Sequence, residues 1–323
     1  MIPPVNIVIV TYNRLHFTKQ CLVALKKFTQ CPHSVTIVDN ASQDGTREYL
    51  LNCLSKKEID RLLLLDKNYG VAAAANTGWE FSSDGIYLKL DNDIMVQRSG
   101  WLKHMVKTAN EASRQKIGAL CHDIYAAEHE EYPITTLLQN TSVSLPPNGM
   151  ELYGGAVMII PEVFKQFGFW CEDFGQYSWE DSDYGARIAW QGWQTGFVRG
   201  NKWIIHEGER EVVTNPEYVE IKKRKFASTT RTAGENLMMY ALKLRPLRMR
   251  RRYLTCIATD GVSCTLQPDA DYFTHESAIS SRFRQWIKSL SIKLSFPRGH
   301  DEGAEFNILR KQLLKLINKG EFR

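Results

Sequence analysis

Strand-like and helix-like patterns alternate from Val5 to Cys121, and this alternation restricts the fold more than any other feature. Val5 to Thr11 (VNIVIVT) is a β-branched run of strand length, apolar enough to be buried on both faces. Leu15 to Phe28 then sets Phe17, Cys21, Leu22, Leu25 and Phe28 at helical spacing. Ser34 to Val38, Arg61 to Leu65, Ile86 to Leu90 and Ile117 to Cys121 read as further strands. Thr46 to Leu54, Val71 to Phe81 and Gly100 to Ala112 read as the helices between them. Such an order predicts an α/β fold: a mostly parallel sheet with right-handed crossovers and helices on both faces. Sheets of this kind bind ligands at the carboxyl ends of their strands.

The alternation lapses from Ile124 to Met150, where Pro133, Pro146, Pro147 and Gly149 predict a loop or a small excursion. Glu151 to Ile160 restores a strand that Pro161 ends. A helix follows from Trp179 to Gln191, then short strands at Thr195 to Val198 and Trp203 to His206. After Asn215 the chain turns basic and helix-prone. The expected organisation is a unit over 1–214, with halves at about 1–122 and 123–214, and a basic helical extension over 215–323.

Charge and cysteine usage narrow the class. The formal net charge is only +5, yet 222–252 carries eleven of the Lys and Arg residues and one acid, Glu235. No apolar run approaches the roughly 20 residues that span a bilayer, and Met1-Ile2-Pro3-Pro4 lacks the basic start of a secretory signal. A cytoplasmic protein is expected, with a peripheral position at the inner membrane face as the membrane option. The seven cysteines form no C-x-x-C or Cys/His spacing, so a structural, thiol role is expected.

Three strands stop in acids or amides: Thr11-Tyr12-Asn13-Arg14, Asp39-Asn40 and Asp91-Asn92-Asp93. Each alone reads as a turn or a cap. The last is different, because two carboxylates interrupt an apolar passage from Tyr87 to Val96. Buried carboxylates want a cation, and hard divalent ions such as Mg²⁺ or Mn²⁺ often use one or two carboxylates plus substrate phosphates.

The ordered series VNIVIVTYNR, VTIVDNASQDGT, NYGVAAAANTG and DND, followed by Tyr153-Gly154-Gly155-Ala156 and Trp179-Glu180-Asp181-Ser182-Asp183, resembles the GT-A glycosyltransferases, and within them the inverting family 2. The resemblance runs over about 4–207. It implies transfer of a sugar from a nucleoside-diphosphate sugar, UDP-linked by expectation, to an acceptor hydroxyl, with Mn²⁺ or Mg²⁺ as cofactor. By the same resemblance Thr11, Tyr12, Arg14, Asp39, Asn68, Gly70, Asp91 and Asn92 would bind the nucleotide sugar. Asp91, Asp93 and His206 would hold the metal, Asp181 would be the general base and Glu180 its neighbour. Tyr153, Gly154, Gly155 and Trp179 would border the acceptor. The family often has Arg before Asn76, where this chain has Ala75.

From the residues themselves, Ser178 is expected to cap the helix that carries Asp181, and Asp183 with Arg187 to form a helix-surface ion pair. Trp170, Trp190 and Trp193 are expected in the core, Trp179 nearer the surface. A metal-dependent nucleotidyltransferase or a non-catalytic nucleotide-sugar-binding module are the competing readings. The former would want a Gly-rich phosphate loop that Thr11-Tyr12-Asn13-Arg14 does not supply. Expected acceptors are a carbohydrate, a lipid-linked group or another hydroxyl compound. The basic 222–252 segment would meet an anionic membrane surface, a polyanionic acceptor (nucleic acid being the weakest of these), the catalytic unit itself or a second subunit in a homo-oligomer.

Overall fold

A computed structural model describes residues 4–82, 84–122, 134–138, 141–146, 151–199 and 203–208, and separate positions from 220 to 268. Most of the expected 124–150 loop, and most of the 215–323 extension, lie outside the described residues.

The elements begin β1 (Val5–Thr11), α1 (Leu15–Phe28), β2 (His33–Asp39), α2 (Thr46–Ser55), β3 (Arg61–Leu64), α3 (Val71–Glu80) and β4 (Ile86–Asp91). They continue with β5 (Ile94–Val96), α4 (Trp101–Ser113), β6 (Ile117–His122), β7 (Ile134–Leu138), β8 (Thr141–Ser144), β9 (Ala156–Ile159) and α5 (Pro161–Phe167). Then come α6 (Glu180–Ala189), β10 (Gln194–Val198), β11 (Ile204–His206), β12 (Tyr253–Ile257) and β13 (Cys264–Pro268). Among the described residues nine strands form one sheet in the order β3-β2-β1-β4-β9-β6-β10-β8-β7. β3, β2, β1 and β4 are mutually parallel, and β9 runs antiparallel between β4 and β6.

This order explains the burial. Every residue of β1 is buried, as a central parallel strand covered on both sides must be. From β1 the chain steps outward to β2 and β3, then returns across β1 to β4. With right-handed crossovers that reversal puts α3 on the opposite face from α1 and α2. It also opens a crevice between the ends of β1 and β4, where such sheets bind ligands. The register sets Thr11 beside Asp39 and Val10 beside Asp91 at that edge.

The structure corrects several expectations. The supposed loop over 124–150 contains β7 and β8, which pair antiparallel and extend the sheet. The strand expected from Glu151 starts only at Ala156, because Gly154 and Gly155 form a turn. Ser178 does not cap α6: the cap position is Trp179, with no side-chain cap bond, and the Ser178 hydroxyl bonds Thr229 instead. The Asp183–Arg187 pair is not at a surface but wholly buried, at 3.0 Å. Its covering comes from the 167–169 segment, which exchanges backbone bonds with Met249 (Met249 N to Phe167 O 2.9 Å, Phe169 N to Met249 O 3.2 Å).

The described part of the basic segment therefore packs on the α/β unit. Arg245 and Arg251 are buried there, on Asp173 (2.5 Å) and Glu172 (3.4 Å) respectively. Trp170 and Trp193 are core residues as expected, Trp190 packs against a smaller cluster, and Cys21, Cys31, Cys53, Cys121 and Cys171 are free thiols. No helix among the described residues is long and apolar enough to cross a membrane.

Candidate active site

The carboxyl edge of β1, β2 and β4 carries strained backbone. Asn13, Arg14 and Ala41 all have positive φ (54°, 63° and 69°). Each such non-glycine residue costs on the order of 1–3 kcal/mol and persists only where its surroundings over-determine it. Here the surroundings are polar and specific. Asn92 Nδ2 donates to Thr11 Oγ1 (3.2 Å) and Thr18 Oγ1 (3.0 Å), so Thr11 and Asn92 turn inward and lock β1, α1 and the turn after β4 together. Tyr12 stays on the surface.

Asp39 is fully buried at the end of β2. Its carboxylate accepts from Arg47 Nε (2.7 Å) and the Ser42 N–H (3.1 Å), which fix its orientation. Asn40 organises the adjoining loop: its amide donates to Asn68 Oδ1 (2.9 Å) and the Gly70 carbonyl (3.2 Å), and its Oδ1 accepts the Tyr69 N–H (2.9 Å). Gly70 has φ +93°, and a Cβ there would lie 2.0 Å from the Gly175 carbonyl oxygen. Gly70→Ala is accordingly expected to cost more than ~1 kcal/mol in a urea melt, since both backbone and space forbid it.

The turn Asp91-Asn92-Asp93 separates its two acids. Asp91 sits at the lip, a third exposed (34%), and accepts from the buried ammonium of Lys89. Asp93 is buried: its Oδ2 accepts from Arg14 Nη1 (2.9 Å) and lies 3.3 Å from His206 Nε2. Burial alone would raise this carboxyl, but the bond and charge of His206 and the Arg14 guanidinium outweigh it and hold it at about 2. His206 arrives through the β5–β11 pairing, which sets it opposite Ile94. Gly208 lets the chain close over the pair, because a Cβ there would meet Asp93 Oδ2 at 2.0 Å.

Asp93 Oδ1 is buried without a hydrogen-bond partner among the described residues. An orphaned carboxylate oxygen beside an imidazole fits a hard divalent ion. Among the described residues no three His, Cys, Asp or Glu side chains enclose a common point.

The second half of the centre faces Asp91 across the 154–155 turn. Asp181 Oδ2 accepts the Gly154 N–H and its Oδ1 accepts the Ser182 N–H, each at 2.7 Å. Lys89 donates to the Gly154 carbonyl at 2.7 Å, and the Asp91 N–H donates to the Gly155 carbonyl at 2.8 Å. Gly154 and Gly155 thus join the two acidic groups through backbone. Tyr153 is half-buried against Phe197, with centroids 5.0 Å apart. Trp179 is half-buried as well, and packs on the cluster that includes Tyr240 and Met249.

Desolvation first, and then the Asp181 charge, push Glu180 up to about 8; desolvation also raises Asp181, against its backbone bonds to Ser182 and Gly154. The folded value of Glu180 lies above its ordinary 4.5. Between those values the unfolded chain releases the proton while the folded chain keeps it, so this group lowers stability as pH rises through the window. Glu180→Gln is expected to flatten that slope, as urea midpoints taken across the window will report.

Lys89, Asn40 and Arg47 were not anticipated as parts of the centre. Lys89 did carry a signal, as the one charge inside the apolar strand IYLKL.

The profile described as "Glycosyl transferase family 2" matches residues 6–166. Glycosyltransferase AglE of Haloferax volcanii is 32% identical over 119 residues, which is 36% of this chain and 39% of that protein. Among solved structures, S. aureus TarS 1-349 in complex with UDP aligns with a TM-score of 0.53 at 14% identity, covering 74% of this chain and 65% of that one. A longer S. aureus TarS structure aligns with a TM-score of 0.51 at 15% identity, covering 72% and 39%. The chain thus spans less than two thirds of each of these relatives. The fold is that of the GT-A glycosyltransferases, and residues 6–166, just under half of the chain, match glycosyl transferase family 2.

Proposed function

We propose that this protein transfers a sugar from a UDP-linked donor to an acceptor hydroxyl with inversion, assisted by Mn²⁺ or Mg²⁺ and with Asp181 as general base. The observation that carries the reading is the pairing of two distinct acidic centres at one sheet edge. One is Asp93, with its orphaned oxygen beside His206; the other is Asp181, joined to Asp91 through Gly154 and Lys89.

Asp39, oriented by Arg47 and Ser42, accepts the imide hydrogen of the base. Asn68 and Gly70 form the wall beside the ribose. Asp93 and His206 would hold the metal, with Asp91 at the lip; when bound, the ion would supply positive charge to the departing nucleoside diphosphate. Asp181 takes the proton of the acceptor hydroxyl as it attacks opposite the leaving group. A single in-line displacement needs no covalent intermediate. Its burial favours this role, since a raised carboxyl is a stronger base once ionised.

A screen of nucleotide sugars for release of nucleoside diphosphate tests the proposal. Turnover is expected to stop on chelation, to return with Mn²⁺ or Mg²⁺, and to vanish in Asp93→Ala. Full activity in that variant would remove the metal assignment.

A further inference from the structure

We propose that the described residues between 225 and 253 brace the catalytic centre, with Thr229 and Tyr240 as positioning residues that hold the loop in front of Asp181. This deepens the reading of Asp181 as the base and rests on it.

The loop 175–179 needs such a brace. Ser178 (φ 108°) and Trp179 (φ 62°) are consecutive non-glycine residues with positive φ, immediately before the helix that bears Glu180 and Asp181. A conformation of that kind lasts only where neighbours over-determine it. Two of those neighbours come from the C-terminal side of the chain. Thr229 shares a hydrogen bond with the Ser178 hydroxyl, and Lys225 Nζ donates to Gln176 Oε1 at 3.1 Å.

A second set of contacts grips α6 itself. Asp183, two residues past the base, accepts from Tyr240 OH (2.8 Å) and Asn236 Nδ2 (3.0 Å) in addition to Arg187. Its buried carboxylate is thereby satisfied from the C-terminal segment as well as from its own helix.

The same segment reaches the nucleotide side. The Val71 N–H donates to the Gln176 carbonyl at 3.1 Å, and Gly70 abuts Gly175, so loops 68–71 and 175–179 touch directly. Tyr253 packs edge-on against Tyr69 with centroids 5.5 Å apart, and Arg251 donates to Thr77 Oγ1 at 2.8 Å on α3. Beside the anchoring contacts of Met249, Arg245 and Arg251 on the 167–173 segment, these contacts fall on residues that flank the two halves of the site.

The test uses the full chain with Thr229→Val, Tyr240→Phe and the double variant. Hydrogen exchange of peptides covering 175–183 is expected to quicken by roughly tenfold or more in the double variant, with β1 and β2 peptides unchanged as the folding control. UDP affinity, read by calorimetry, is expected to stay within about twofold, while kcat for transfer falls about tenfold or more at unchanged donor KM. Thr229→Ser is expected to restore both readouts. Unchanged exchange over 175–183 in the double variant overturns the brace whatever the activity. Quickened exchange in a protein whose unaltered form transfers no sugar keeps the brace and sinks the functional reading instead.

Discussion

Asp181→Asn is expected to reduce sugar transfer by about 10²- to 10⁴-fold, the usual contribution of a positioned general base. The substitution removes the proton acceptor with little change of shape. One amide oxygen still accepts the Gly154 N–H or the Ser182 N–H, the two bonds that orient the carboxylate. The nucleotide side is expected to be untouched, because Asp39, Asn40 and Arg47 belong to a separate network on β2 and the 68–70 loop. UDP titration and steady-state transfer measured side by side check this. Equal loss of binding and turnover would mean that Asp181 holds the architecture and not the proton.

The largest effect on stability is expected from Arg187→Met, a loss of about 3–5 kcal/mol, as follows from leaving a buried charge without its partner. Arg187 is fully buried, with its Nε on Asp183. Its guanidinium also donates to the carbonyls of Phe169 (2.8 Å), Phe167 (3.0 Å) and Leu247 (3.4 Å). Methionine fills much of the volume but satisfies none of these acceptors. Among the described residues Asp183 would retain only the neutral donors Asn236 and Tyr240, too little for an ionised group out of water. Urea unfolding with an unchanged m-value and a lowered midpoint is the expected outcome. A midpoint within error of the unaltered protein would show that the pair is not the keystone of this region.

The two predictions concern neighbouring residues on α6 with different duties. Asp181 faces the 154–155 turn, while Asp183 and Arg187 face the covering segments at 167–169, 236–240 and 247. A helix period separates those directions, so chemistry and anchorage occupy different sides of one short element.

Much of the α/β order was legible from residue patterns. β-branched runs and helical spacing are local properties, and the parallel sheet follows from their alternation and from the handedness of crossovers. The strand ends at Thr11, Asp39 and Asp91 were legible for the same reason, since a polar residue after an apolar strand marks its carboxyl edge. β7 and β8 were not, because the prolines around them read as breakers and the strand that joins them to the sheet, β10 beside β8, lies far along the chain. The burial of Arg187 was equally hidden: the Asp–Arg spacing is that of any exposed helical ion pair, and its cover is supplied from Phe167, Phe169 and Leu247.

The Asp91-Asn92-Asp93 turn separates what each level decides. The residues alone determined that two carboxylates would stand at the end of a buried strand, because side-chain chemistry and strand length are written locally. Tertiary structure decided that their fates differ. Lys89, on the same strand, takes Asp91, whereas Asp93 is met by Arg14 from the start of α1 and by His206 through the β5–β11 pairing. Tertiary structure likewise drew Thr229 and Tyr240 to the residues around Asp181. Partners so distant along the chain leave no mark in local pattern, since only the folded topology sets the distances over which charge and hydrogen bonding act.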